Sequence, residues 1–211
     1  KSIAGSKRLG DAEALTRLPD GRLAVAFERT HRVWAYEFDA LGSTAPAMPV
    51  AISPDLANAE NNKGLEALAT LPDGSLLAVT EATMTPQGTI KGWHIRPDSV
   101  EDVGVKRIHP FDLTDMALLP SGEVLTLERR YSPLGGVGAQ MRIVPGTGIV
   151  GGAPLDGPII YRSTVGQTVD NMEGIAVRQD DAGRTFVYVV SDDNFNPLQR
   201  TLLLMFELAD L

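Results

Sequence analysis

The chain has 211 residues, 43% of them hydrophobic and 22% charged, and its formal net charge at pH 7 is −8. This length allows one β domain or two small ones with a substantial core. The acidic balance argues against nucleic acid as a partner, because phosphate backbones need a basic surface. The chain contains no cysteine, which excludes disulfides and thiolate metal sites, and no apolar run reaches the roughly 20 residues of a membrane-spanning helix.

Four units of short apolar strands follow one another along the chain. The first unit predicts strands over Ala12–Leu18, Arg22–Glu28, Arg32–Phe38 and about 47–52. The second predicts Leu65–Leu71, Ser75–Glu81, Ile90–Arg96 and Asp102–Ile108, and the third Leu113–Leu119, Glu123–Arg129, Gln140–Val144 and Pro158–Tyr161. The fourth unit opens with Glu173-Gly-Ile-Ala-Val and continues through 185–190 and Thr201–Leu208, leaving three residues after its last strand.

Each unit carries an acidic pair at mirror positions around a glycine turn. The pairs are Glu13 with Glu28, Glu66 with Glu81, Asp115 with Glu128, and Glu173 with Asp192. With a two-residue turn these acids would lie directly opposite each other in a hairpin, where like charges destabilise the sheet. A chain that repeats this arrangement four times is expected to hold cations there, either metal ions or arginines.

The spacing of the units predicts the architecture. A unit of short strands that recurs about every 50 residues is typical of a β-propeller. The prediction is therefore an all-β single domain over residues 1–211, with about four four-stranded blades starting near residues 11, 63, 112 and 170. The last blade is expected to be incomplete, which favours part of a larger ring over a closed four-bladed one.

Two further segments could contribute to a site at the channel mouth. Asp192-Asp193-Asn194 is the densest run of oxygen ligands, and it could complete a metal site with Glu173 and Asn171 or form a simple Asx-rich turn. Arg129 and Arg130 follow Glu128 directly. They could bind phosphate or neutralise the neighbouring acids, as could Arg29, Lys63 and Arg200. The three histidines show no metal-ligand spacing.

Several motifs resemble the bacterial family called "esterase-like activity of phytase". They are Asn62-Lys-Gly-Leu-Glu-Ala-Leu68, Phe111-Asp-Leu-Thr-Asp-Met116, Glu128-Arg-Arg-Tyr131, Asp170-Asn-Met-Glu-Gly-Ile175 and Ser191-Asp-Asp-Asn-Phe195. The resemblance implies a β-propeller, export to the periplasm or beyond, and phosphoesterase chemistry at acidic repeats. It also implies that members of the family usually have a longer N-terminal region than this chain.

Together these features predict a Ca²⁺-assisted phosphoesterase that acts on an organic phosphate at one mouth of the propeller. The expected metal-holding residues are Glu66, Asp115, Glu173, Asp192, Asp193, Asn171, Glu13, Glu28 and Glu81, and the expected catalytic residues are Glu128, Arg129 and Arg130. One alternative is a metal-dependent lactonase or esterase with a single central cation. The other is a non-catalytic propeller that binds a ligand or protein, its carboxylates held by arginines.

Overall fold

A computed structural model describes residues 11–28, 30–50, 64–132, 135–149 and 153–209 of the chain. These residues form four antiparallel β-sheets, each built from strands that are consecutive in sequence. The sheets are the blades of a propeller, so the predicted all-β fold with four blades is confirmed. Among the described residues no helix is long and apolar enough to cross a membrane.

Blade 1 contains β1 (Ala12–Arg17), β2 (Leu23–Phe27), β3 (Arg32–Tyr36) and β4 (Met48–Pro49). Blade 2 contains β5 (Leu65–Thr70), β6 (Leu76–Met84), β7 (Ile90–Ile95) and β8 (Val100–Val105). Blade 3 contains β9 (Asp112–Leu118), β10 (Val124–Ser132), β11 (Gly136–Val144) and β12 (Ile159–Arg162). Blade 4 has three strands among the described residues, β13 (Met172–Gln179), β14 (Thr185–Ser191) and β15 (Leu203–Leu208).

Among the residues that the structure describes, helical structure is confined to the connection between β3 and β4. A single turn of α-helix, α1 (Phe38–Leu41), is followed by a 3₁₀ turn at Gly42–Thr44. Ser53-Pro54-Asp55 could begin a short helical turn, with Ser as the N-cap and Pro at the first helical position, but these residues lie outside the described ranges.

The first strands of the blades lie side by side around the centre of the molecule, with β1 against β5, β5 against β9, and β9 against β13. Apolar side chains fill the layer between each successive pair of blades. Trp93 and Leu65 are buried between blades 1 and 2, Val79 and Leu113 between blades 2 and 3, and Leu127 between blades 3 and 4. Because the four inner strands β1, β5, β9 and β13 lie side by side, one end of each lies at a common opening, which we call the mouth.

The glycine turns are one residue longer than the sequence analysis assumed. A backbone hydrogen bond closes a three-residue loop in all four blades, from the amide before the loop to the carbonyl after it: Leu18 to Arg22, Leu71 to Ser75, Leu119 to Glu123, and Asp180 to Arg184. Each loop ends on a glycine with positive φ, at Gly21, Gly74, Gly122 and Gly183, as three-residue hairpin loops require. The extra residue shifts the register, so the predicted face-to-face pairing of the acids is wrong.

A β-bulge near the other end of each inner strand shifts the register again. The pairing passes over one residue in each blade, namely Glu13, Glu66, Thr114 and Glu173. We call this the bulge position. The residue just before each bulge pairs with Phe27, Thr80, Glu128 or Ser191 on the second strand. We call the residue that follows this partner the exit position, and it is Glu28, Glu81, Arg129 or Asp192. Because a bulged residue is released from the ladder, its side chain can be re-aimed.

Candidate functional site

The bulge and exit positions together form a charged mouth at one end of the inner strands. Blades 1, 2 and 4 carry an acid at both positions, as the repeated pairs in the sequence indicated. Blade 3 is different, because its bulge position holds Thr114 and its exit position holds Arg129. The acids that the sequence pairing assigned to this blade, Asp115 and Glu128, lie one residue away in the ladder and pair with Leu127 and Leu113.

Glu66 lies at the centre of the acidic mouth. Its side chain is half-buried, and the charges of Glu13, Glu81, Glu28 and Glu173 all act on it. Burial first, and then repulsion from these four acids, raises the pKa of Glu66 to about 9. Four acids from three blades therefore converge on one carboxyl group, which is the geometry a cation would stabilise.

The most compact group of acids at this mouth is Asp11, Glu13 and Glu28. One carboxylate oxygen from each lies within 4.8 Å of the others, close enough for all three to bind a single metal ion. Glu28 is buried, and its Oε1 also accepts a hydrogen bond of 3.4 Å from the backbone amide of Gly64. An all-oxygen donor set of this kind suits a hard cation such as Ca²⁺.

Asp11 was missed by the sequence analysis, which took only acids that were mirrored around a turn. Its place follows from the backbone, because the carbonyl oxygen of Asp11 accepts a 2.9 Å hydrogen bond from the amide of Glu28. Asp11 precedes Glu13 by two residues on an extended segment. That i, i+2 spacing was the available signal, since such residues share a face of a strand.

Arg129 spans the opposite side of the mouth. Its Nη2 lies 3.1 Å from Glu81 Oε1, and its Nε lies 3.3 Å from Glu173 Oε2. The second contact is at ion-pair distance but is not aligned as a hydrogen bond. Burial raises the pKa of both carboxyl groups, whereas the Arg129 charge lowers it. The structure thus supplies a metal-compatible group on one side of the mouth and an arginine latch on the other.

Asp115 is buried between blades 3 and 4 and serves the backbone. Its two carboxylate oxygens each accept a 2.8 Å hydrogen bond, one from the amide of Met116 and one from that of Ile175. Burial raises the pKa of Asp115 to about 7, and the two amide hydrogen bonds oppose this rise. Since both oxygens are used in joining β9 to β13, we do not assign Asp115 to the metal set.

Glu128 belongs to a buried polar network inside blade 3. Its Oε1 is 2.5 Å from Arg142 Nε and 3.1 Å from the hydroxyl of Thr126, and its Oε2 accepts a hydrogen bond from Gln140. Arg142 also donates to the carbonyl of Lys106 at 2.9 Å. This network leaves Glu128 satisfied within the blade, so its expected catalytic role has no support from the geometry.

The acidic loop after β14 forms tight turns beside the mouth. The Oδ1 atoms of Asp192 and Asp193 accept 2.9 Å hydrogen bonds from the amides of Asn194 and Phe195, and Asp193 Oδ2 accepts one of 3.1 Å from Thr201. These contacts match the Asx-turn interpretation for Asp193. Asp192 also occupies the exit position of blade 4, where its charge acts on Glu173.

Three other predicted polar residues have structural partners. The side-chain amide of Asn171 donates to Glu173 Oε1 at 2.6 Å, so it orients that acid. Arg130 turns back over its own hairpin, with Nη1 within 3.5 Å of the carbonyls of Gly135 and Gly136. Arg200 lies 3.5 Å from buried Asp170 rather than at the mouth. Arg29 and Lys63, the remaining candidate counter-ions, lie outside the described residues.

Solved structures share this fold at low sequence identity. A suspected gluconolactonase is 13% identical with a TM-score of 0.53, and the match covers 90% of this chain and 59% of that one. An endo-arabinase from Bacteroides thetaiotaomicron is 14% identical with a TM-score of 0.53, covering 93% of this chain and 74% of that one. The chain thus spans less than two thirds of the length of the first of these proteins.

A search of curated proteins gives no match. The family model for "esterase-like activity of phytase" matches residues 2–195, which is nearly the whole chain. The resemblance drawn from the sequence motifs is therefore confirmed. The chain belongs to the phytase-like family whose members are described by an esterase-like activity of phytase.

Proposed function

We propose that this protein is a Ca²⁺-assisted phosphoesterase that acts on an organic phosphate at the acidic mouth of its propeller. The observation that carries the proposal is the convergence of four acids on Glu66, beside the compact group of Asp11, Glu13 and Glu28. Glu28 is buried and Glu66 is half-buried, and carboxylates held this close together repel one another unless a cation balances them.

The fit of the donor set supports calcium as the cation. Asp11, Glu13, Glu28 and Glu66 offer carboxylate oxygens only, and Ca²⁺ binds six to eight oxygens with a flexible geometry. When bound, the ion would supply charge to hold a phosphate and to acidify a water molecule. The chain's own contribution is to position these oxygens at the mouth of a rigid β-scaffold.

Arg129 is the residue of this chain best placed to contact the phosphate. Its guanidinium lies at the mouth between Glu81 and Glu173 and is 29% exposed. A planar guanidinium matches phosphate oxygens well and stabilises charge that develops on them. The proposal assigns phosphate contact to Arg129 alone, because Arg130 is directed at its own hairpin.

The first test is thermal unfolding of the metal-stripped chain titrated with Ca²⁺ and Mg²⁺, followed by hydrolysis of p-nitrophenyl phosphate with and without Ca²⁺. We expect a Ca²⁺-selective rise in Tm and Ca²⁺-dependent hydrolysis, both lost in Glu28→Gln and kept in the control Glu207→Gln. Glu207 is exposed on β15 and far along the chain from the acidic group. A Tm that does not respond to Ca²⁺ would contradict the metal site.

The same cation could instead serve a lactonase or esterase. A divalent ion polarises a carbonyl oxygen as it does a phosphoryl oxygen, so hydrolysis of a lactone or p-nitrophenyl acetate is measured in parallel. Ca²⁺ binding with ester but no phosphate hydrolysis would favour this alternative. Folding that is indifferent to Ca²⁺, with no hydrolysis of either substrate, would favour a binding propeller with arginine-held carboxylates.

A further inference from the structure

The register of the four blades shows that blade 3 departs from its repeat at both mouth positions. Where the other blades have an acid at the bulge position, blade 3 has Thr114, and where they have an acid at the exit position, it has Arg129. The repeat thus loses two negative charges and gains one positive charge in a single blade.

Arg129 contacts the acids of both neighbouring blades. Glu81 is the exit acid of blade 2 and lies 3.1 Å from Nη2, and Glu173 is the bulge acid of blade 4 and lies 3.3 Å from Nε. All three side chains are about one third exposed. The nearby Arg107 is already paired with Asp112 at 2.5 Å. Among the described residues, Arg129 is the cation placed between blades 2 and 4 at this mouth.

We propose that Arg129 is a resident cation, which takes in blade 3 the place that an exchangeable ion takes near blades 1 and 2. It joins Glu81 to Glu173 and so limits the exchangeable ion to the side formed by Asp11, Glu13, Glu28 and Glu66. This inference deepens the proposed function and rests on it for the identity of the exchangeable ion. Arg129 is then a residue that sets how many ions the mouth holds.

The placement explains why the mouth is asymmetric. Arginine is always charged and can contact two carboxylates at once, so it offsets the repulsion between Glu81 and Glu173 without any dissolved ion. The group of Asp11, Glu13 and Glu28 has its three oxygens within 4.8 Å of each other instead. The mouth would therefore hold one exchangeable ion on one side and a fixed guanidinium on the other.

The test is the Ca²⁺ stoichiometry of Arg129→Gln, measured by isothermal titration calorimetry and by Tm with and without Ca²⁺. We expect about one ion per chain in the unaltered protein and about two in the variant, since Glu81 and Glu173 become a second oxygen site. We also expect Arg129→Gln to have a lower Tm in chelator and to recover most of it in Ca²⁺. Arg129→Lys, which keeps a charge, should stay closer to the unaltered protein in both readouts.

The matched control is Arg130→Gln, the adjacent arginine, which should leave stoichiometry and Ca²⁺ response unchanged. The double variant Arg129→Gln with Glu173→Gln removes charge of both signs, so it should fold without Ca²⁺ and bind no additional ion. An Arg129→Gln variant with unchanged stoichiometry and unchanged Ca²⁺ response overturns the inference. If the unaltered protein binds no Ca²⁺ but Arg129→Gln does, the inference stands and the proposed function fails.

Discussion

The carboxyl groups of this protein differ in what compensates their burial. Glu128 is stabilised by Arg142, and Asp115 is stabilised by two backbone amides. Glu66, in contrast, is surrounded by four other acids, which repel its charged form. The sequence assigned Glu66 and Asp115 to a metal site and Glu128 to catalysis, but it did not give the partners that surround each acid. Arg142 is 14 residues from Glu128 and Ile175 is 60 from Asp115, so both partners are defined only once the blades have packed.

The raised pKa of Glu66 gives a stability prediction with a definite sign. Its pKa is about 9 in the folded chain and about 4.5 when unfolded. In the absence of divalent ions, the contribution of Glu66 is complete below pH 4.5 and is lost as the pH rises towards 9. We expect Glu66→Gln to be more stable than the unaltered protein at pH 8, by about 2 kcal/mol, and equal to it near pH 4.

This prediction is checked by urea unfolding in chelator at both pH values, with Glu207→Gln as a control that should show no pH-dependent gain. Added Ca²⁺ should reverse the order at pH 8, because a charged carboxylate binds the ion more strongly than the neutral amide of glutamine does. Equal stabilities of Glu66→Gln and the unaltered protein at pH 8 would contradict the assignment.

The Arg142–Glu128 pair provides a test of the buried network. Both side chains are at most 3% exposed, so Arg142→Met leaves a buried carboxylate without its counter-ion. We expect a loss of about 3 kcal/mol in the free energy of unfolding, measured by denaturant unfolding. Arg184→Met breaks an exposed pair with Asp180 and should change stability by less than about 1 kcal/mol.

At the scale of single elements, the sequence predicted most strands and all four glycine turns but not their register. Alternating apolar residues and turn glycines are local signals, and they placed the inner hairpins within a few residues. The register depended on whether each turn had two or three residues and on a bulge next to the mouth. Neither feature has a strong sequence signature, and each shifts every cross-strand partner.

The turn glycines lead to a prediction about the hairpins. Gly183 has φ of 80° and open space around the place a Cβ would take, so strain alone decides the effect of substitution. We expect Gly183→Ala to cost about 1 kcal/mol of stability and Gly183→Asn to cost less, because Asn tolerates this conformation. Thermal unfolding of the two variants checks the order. An alanine variant as stable as the unaltered protein would contradict the three-residue turn.

At the scale of the whole molecule, blades 1 and 4 are separated by a cleft of about 560 Å³. Its walls include Leu15, Val190 and Leu203, and its inner end reaches Glu13 and Glu173. Among the described strands, β1 and β13 lack the close packing seen between the other neighbouring inner strands. The propeller fold was predictable from the repeat, whereas the size and lining of this cleft were not, because they depend on the twist and packing of all four sheets.

The open face of blade 4 predicts self-association at high protein concentration. Leu203 and Met205 are 71% and 60% exposed on β15, which is the outermost strand of blade 4 among the described residues, and exposed apolar edge strands favour association. We expect Leu203→Lys with Met205→Lys to lower the apparent mass in light scattering without lowering Tm. Leu198→Lys, an exposed loop residue away from the strand, should leave association unchanged. A chain that stays monomeric at high concentration would contradict this expectation.

The bulge at the head of every inner strand has a consequence for how such a mouth can diversify. A residue that the ladder passes over bears little of the hairpin's stability, so it can change from Glu to Thr, as it does between blades 2 and 3, while the sheet is unaffected. The residues that stabilise a blade are therefore different from the residues that determine the charge at the mouth. Single substitutions can therefore change the charge at the mouth one blade at a time, while the β-sheets keep their structure.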